Sequence, residues 1–147
     1  MAISAEVHTD AQQLVLLSPL TITTAISATA TTPVVALGGI KYLTAIAVFT
    51  YGSAGTTAKA YVQTSLDGGL SWVDVICFSF TTATATKISS TTVSLAPASQ
   101  AFAPTDGTLT NDTILQGVLG DRIRLKYVTT GTYADATTLA IYALVKG

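Results

Sequence analysis

The chain has 147 residues, enough for one domain around one core and too few for two. Hydrophobic residues make up 49% and charged residues only 10%, against roughly 25% charged in an ordinary soluble domain, so much of the surface is expected to be covered by other subunits. Seven basic and eight acidic residues leave a net charge of −1. Only Arg122, Arg124 and Lys126 cluster, too short a basic row to neutralise a phosphate backbone, so no nucleic-acid partner is expected.

Residues 1–12 are mixed and polar with no period, and read as an N-terminal arm ahead of a single domain at 13–147. The arm shows neither the basic nor the apolar region of a secretory signal, which points to synthesis in the cytoplasm. Residues 11–40 carry no charge, but Pro19, Pro33 and Gly38-Gly39 interrupt them and Thr and Ser fill them. A helix crossing a membrane needs about 20 mostly apolar residues, so no membrane partner is expected.

From Gln13 onward, short runs rich in Val, Ile, Thr, Tyr and Phe alternate with Gly, Pro, Ser, Asp and Asn clusters, the pattern of strands and turns. Strands are predicted at 13–17, 20–26, 33–37, 42–51, 58–66, 72–80, 87–95, 122–129 and 138–145. Two hairpin turns are predicted, at Asp67-Gly68-Gly69 and at Thr130-Gly131-Thr132-Tyr133. No stripe at helical spacing competes, and the β-branched Thr favours strands. The expected fold is an all-β, single-domain β-sandwich, jelly-roll-like.

Three strands carry more detail. In 122–128 Arg122, Arg124 and Lys126 share one face and Ile123, Leu125 and Tyr127 the other, so one face is buried and one polar. In 72–80 both faces are apolar, with Trp72, Ile76, Phe78 and Phe80 assigned to one side and Val73, Val75 and Cys77 to the other. Such a strand is central or has its outer face covered by a neighbour. The run 42–51 behaves alike, with Leu43, Ala45, Ala47 and Phe49 against Ile46 and Val48. The long loop 96–111, with Pro97, Pro104 and the turn Thr105-Asp106-Gly107-Thr108, is expected to meet a partner, as is the arm.

Catalytic and metal-binding parts are scarce. The lone histidine, His8, lies in the arm, and nucleophilic catalysis needs an imidazole held by a third group. The single Cys77 sits in an apolar run and reads as an inert buried thiol. One His and one Cys do not make a tetrahedral zinc site, and Asp106, Asp112 and Asp121 read as loop acids rather than hard-cation ligands. No enzyme activity, metal or cofactor is expected.

One motif stands out. Ser65-Leu66-Asp67-Gly68-Gly69-Leu70-Ser71-Trp72 fits Ser-x-Asp-x-Gly-x-x-Trp and resembles the Asp-box of sialidases and related β-propellers. Asp67 is suited to accept N–H groups inside the turn, Gly69 to take a positive φ, and Trp72 to fold over the hairpin base. The box occurs once in a chain too short for a propeller, so Ser65, Asp67, Gly69 and Trp72 are assigned as a structural turn motif without sugar chemistry.

The run from Ala60 to Val75, with Phe78-Ser79-Phe80-Thr81-Thr82-Ala83, resembles small proteins encoded among the head and neck genes of tailed bacteriophages. Pro104-Thr105-Asp106-Gly107, the run from Gly117 to Arg124, and the closing pattern from Gly131 to Val145 add to the likeness, which covers Tyr42 to the C-terminus. The resemblance implies a structural virion protein, nearest to a capsid decoration or cement protein that clamps neighbouring capsid subunits. Its implied partners are the major capsid protein or other virion proteins, with homo-oligomers, and its implied location is the virion. A neck, tail-tube or fibre-base protein is the alternative. A carbohydrate-binding β-sandwich is the alternative from another class, with Tyr51, Tyr61, Tyr127, Tyr133 and Tyr142 available for a stacking surface.

Overall fold

A computed structural model describes residues 12–22, 30–37, 39–93 and 101–147, which hold eleven strands and no helix. The arm at 1–11, the proposed strand segment 23–26 and the start of the long loop up to 100 lie outside the described residues.

The strands are β1 (Gln12–Thr21), β2 (Ala30–Thr31), β3 (Val35–Ala36), β4 (Tyr42–Thr50), β5 (Ser53–Ala54), β6 (Thr57–Ser65), β7 (Val73–Phe80), β8 (Ala85–Thr92), β9 (Arg122–Thr130), β10 (Tyr133–Ala134) and β11 (Thr138–Lys146). They form two antiparallel sheets, ordered β1-β11-β4-β8 and β2-β9-β6-β7, with β3 also on β9 and a small β5-β10 ribbon. Counting β2 and β3 as one broken strand leaves eight main strands, paired first with eighth, second with seventh, third with sixth and fourth with fifth.

The two sheets make a β-sandwich. Leu14, Leu43, Phe49, Leu139 and Ile141 of one meet Val62, Ile76, Phe78, Phe80, Ile123 and Leu125 of the other in one buried cluster. Strand periodicity explains the partition. In β4, Leu43, Ala45, Ala47 and Phe49 are buried while Tyr42, Thr44, Ile46 and Val48 alternate outward. In β9, Ile123 and Leu125 are buried under a polar face of Arg122, Arg124 and Lys126, as the sequence predicts.

Several local expectations are corrected. The predicted run 13–17 and the start of the run 20–26 join into β1, whose register against β11 slips at Leu16, so Leu14, Leu16 and Leu17 all reach the core. Of 33–37, only Val35–Ala36 pairs. Thr130–Tyr133 does not close a hairpin: β9 and β11 lie in different sheets. The segment between them climbs from one sheet to the other through the β5-β10 ribbon, held where Thr137 Oγ1 accepts Gly52 N–H at 3.0 Å and donates to Ala134 O at 2.8 Å.

β7 also differs in detail. Its register against β6 passes from Val62↔Ile76 to Gln63↔Asp74, which leaves Val75 as an extra, bulged residue. The bulge inverts the alternation below it. Ile76, Phe78 and Phe80 join the core, but Trp72 and Asp74 turn to the outer face, so Trp72 does not share a side with Ile76.

Candidate assembly surface

The Ser65–Trp72 segment is the turn between β6 and β7. Ser65 Oγ donates to Asp67 Oδ1 at 2.9 Å and accepts Gly69 N–H at the same distance; Asp67 accepts Ser71 N–H at 2.8 Å and Ser71 Oγ–H at 2.6 Å. Gly68 and Gly69 take φ of 75° and 95°, which L side chains resist. The Ser71 hydroxyl and amide bonds hold the Asp67 carboxyl down at about 2. The turn is thus tied internally, and it presents Leu66 and Leu70 to solvent.

Trp72 packs against the outer face of the second sheet, with the Arg124 guanidinium 4.2 Å from its ring centre. Beside it lies a polar network that sequence reasoning missed. Asp74, fully buried, accepts the backbone N–H groups of Gly107, Thr108 and Leu109 at 2.8–3.1 Å. Gln63, also fully buried, donates Nε2 to Asp74 and to Asp106 at 2.7 Å each, and accepts Arg124 Nε at 2.7 Å. Lys126 closes the circuit on Asp106 at 3.0 Å. Partial burial alone would raise the Asp106 carboxyl; the Gln63 amide and then Lys126 outweigh it and hold the group below its ordinary value.

This network pins loop 101–121 along β7. Asp74 N–H donates to Thr105 O, Cys77 N–H to Thr113 O and Leu115 N–H to Val75 O, while Ile114 bridges Ile76. Asp112 accepts Ser79 N–H at 3.0 Å and pairs with Lys87 at 2.8 Å. The described part of the loop therefore folds onto its own domain. It also explains why all eight residues of β7, an edge strand by pairing order, are buried.

The remaining candidates disperse. Cys77 is buried, and burial pushes its thiol up. Asp106 and Asp112 are engaged as above, and no group of three His, Cys, Asp or Glu residues suited to a metal exists among the described residues. His8 lies outside them. The tyrosines form no exposed row: Tyr133 and Tyr61 are buried, and Phe49 stacks on Tyr51 and on Phe80 and meets Tyr133 edge-on at one end of the core.

Among the described residues, one sheet face is left open. Across the outer face of the first sheet, Val15, Tyr142, Ile46 and Ile88 are in direct register on four successive strands. The next row is Gln13, Leu144, Thr44 and Ser90. Ile88 is 69% exposed, Val15 56% and Leu144 52%. Ile46, Ile88, Tyr142 and Leu144 border a depression of about 330 Å³. Lys146, at the rim, is the one charged residue facing outward on these strands. The sequence pattern of β4, apolar on both faces, is the signal that pointed here.

No family model, curated protein or solved structure matches the chain. Its chemistry must therefore be read from its own surfaces. Contiguous exposed apolar patches of this kind mark interaction surfaces.

Proposed function

We propose that this chain is a structural subunit of a virus particle, a decoration or cement protein that seats on the head lattice of a tailed bacteriophage. The observation that carries the reading is the open outer face of the first sheet, with Val15, Tyr142, Ile46 and Ile88 in one row and a single charge at its rim. Fully burying an aliphatic side chain stabilises by about 1.5–3 kcal/mol, so such a row contributes to association once a neighbour covers it. Cementing multiplies a modest contact over many sites of a lattice and needs no deep pocket.

Two further points support it. The pairing of first strand with eighth through fourth with fifth supports a jelly-roll reading of the sandwich, an architecture of viral capsid and lectin domains. The runs Ala60–Val75 and Gly117–Arg124 resemble phage head and neck proteins. The test is particle stability. Heads lacking the chain are expected to release their genome at lower temperature, and adding purified chain back is expected to restore the wild-type value. Heads of unchanged stability that fail to join tails would replace cementing with a neck role.

A further inference from the structure

Among the described residues, three strand edges and one sheet face of the sandwich are covered or blunted against a neighbour. Loop 105–115 lies along β7, and the same loop reaches β8, where Thr91 Oγ1 donates to Leu115 O and Gly117 N–H to Thr92 O. At the other side, β1 carries two register irregularities and Pro19, which has no N–H to offer an incoming strand. The outer face of the second sheet holds the Asp74, Gln63, Asp106, Arg124 and Lys126 network under its loop. Among the described residues, the outer face of the first sheet has no such cover.

We propose that this face seats a second copy of the chain, sheet against sheet about a two-fold axis. The inference deepens the assembly reading above by naming the occupant of that face, and rests on it only in treating the face as an assembly surface. Charge permits self-pairing: with Lys146 alone at the rim, two copies meet without burying a charge at the centre of the face, whereas a strongly charged partner would find no complement there. Shape suits it too. An isologous contact needs projections and a hollow on the same patch, and here Ile88, Val15 and Leu144 project beside the depression bordered by Ile46 and Tyr142.

Size suffices. Nine-residue strands at about 3.3 Å per residue and four strands at about 4.8 Å give a footprint of about 600 Å² per copy. The total of about 1,200 Å² is at the lower end of specific interfaces, so the dimer is expected to dissociate on dilution. Packed sheets sit about 10 Å apart, a separation that interdigitating Ile, Leu and Tyr side chains fill.

The experiment is sedimentation of the full chain at about 100 µM, well above the micromolar range suited to so small an interface. Wild type is expected at twice the chain mass. The double variant Ile88→Glu, Leu144→Glu is expected at the single-chain mass, with circular dichroism unchanged, and with melting unchanged at dilutions where wild type is also a single chain, because both side chains are more than half exposed. Single-chain mass for wild type overturns the inference, as does a dimer that survives both substitutions. Occupancy on particles separates the two readings. A monomeric wild type whose double variant loses particle binding assigns the face to a shell protein, overturning the second-copy inference and keeping the assembly reading. A dimer found free of particles does the reverse.

Discussion

Removing the Asp74 carboxylate should release the long loop from the sandwich. Asp74 accepts three backbone N–H groups, from Gly107, Thr108 and Leu109, and the Gln63 amide. Hydrogen bonds to a charged partner contribute about 1.5–3 kcal/mol each, so the three backbone bonds alone give about 4.5 kcal/mol at the lower bound. Part of that returns as the freed loop meets water, and Asp74→Ala is expected to cost about 3–4 kcal/mol, a large share of the roughly 5–15 kcal/mol of a typical domain. Asp74→Asn keeps one acceptor oxygen, but its amide then faces Gln63 Nε2, donor to donor. Gln63 does not simply flip, because its Oε1 accepts Arg124 Nε at 2.7 Å, so this variant is expected to cost about 2 kcal/mol. Urea denaturation followed by the single tryptophan, Trp72, gives the energies, and amide exchange at 107–109 localises them. If both variants fall within about 0.5 kcal/mol of wild type and those amides stay protected, the loop is held by something other than Asp74.

Three more expectations follow from the turn and its surroundings. Trp72→Ala loses a ring that is 6% exposed and lies 4.2 Å from the Arg124 guanidinium; it is expected to cost about 3 kcal/mol, and near-native denaturation read by circular dichroism would place the ring outside the fold's support. Gly120→Ala would put a Cβ 1.9 Å from Ser65 O, a backbone atom that does not yield easily, so a fall in melting temperature worth at least about 1–3 kcal/mol is expected, and an unchanged melting temperature contradicts the close approach. The Asp67 carboxyl is depressed to about 2, so its contribution to the turn is complete above the unfolded value of about 4 and is lost as pH falls through about 2. An NMR titration of Asp67 and the Ser71 amide with a midpoint near 4 would show those bonds absent in solution.

The sandwich was legible because its signals are local. β-branched runs between turn residues mark strands, and the alternation Arg122, Ile123, Arg124, Leu125 assigns faces without knowledge of any partner. The double apolar character of β4 likewise announced a face that something should cover. What strict alternation cannot carry is a bulge. The single extra residue Val75 turns Trp72 and Asp74 to the other side of the sheet, and the slip at Leu16 sends consecutive leucines inward.

The Asp74 network was hidden for a different reason. Its donors are backbone N–H groups 33 to 35 residues away, and a backbone amide has no side chain to advertise it. The trace it did leave was one carboxylate inside the apolar run Val73–Phe80, with an Asp-Gly turn further along at Asp106-Gly107. A buried charge in such a run requires partners, and the loop supplies them. The row Val15–Tyr142–Ile46–Ile88 was equally out of reach, because it exists only once four strands distant in sequence are set in register.

Copy number in the particle tests the proposed virion role most directly. Quantitative mass spectrometry of purified virions, measured against the major shell protein, reads that number. Cementing predicts copies on the scale of the shell subunits themselves. A handful of copies per particle would contradict cementing in favour of a neck role, and absence from purified particles would contradict the virion reading altogether.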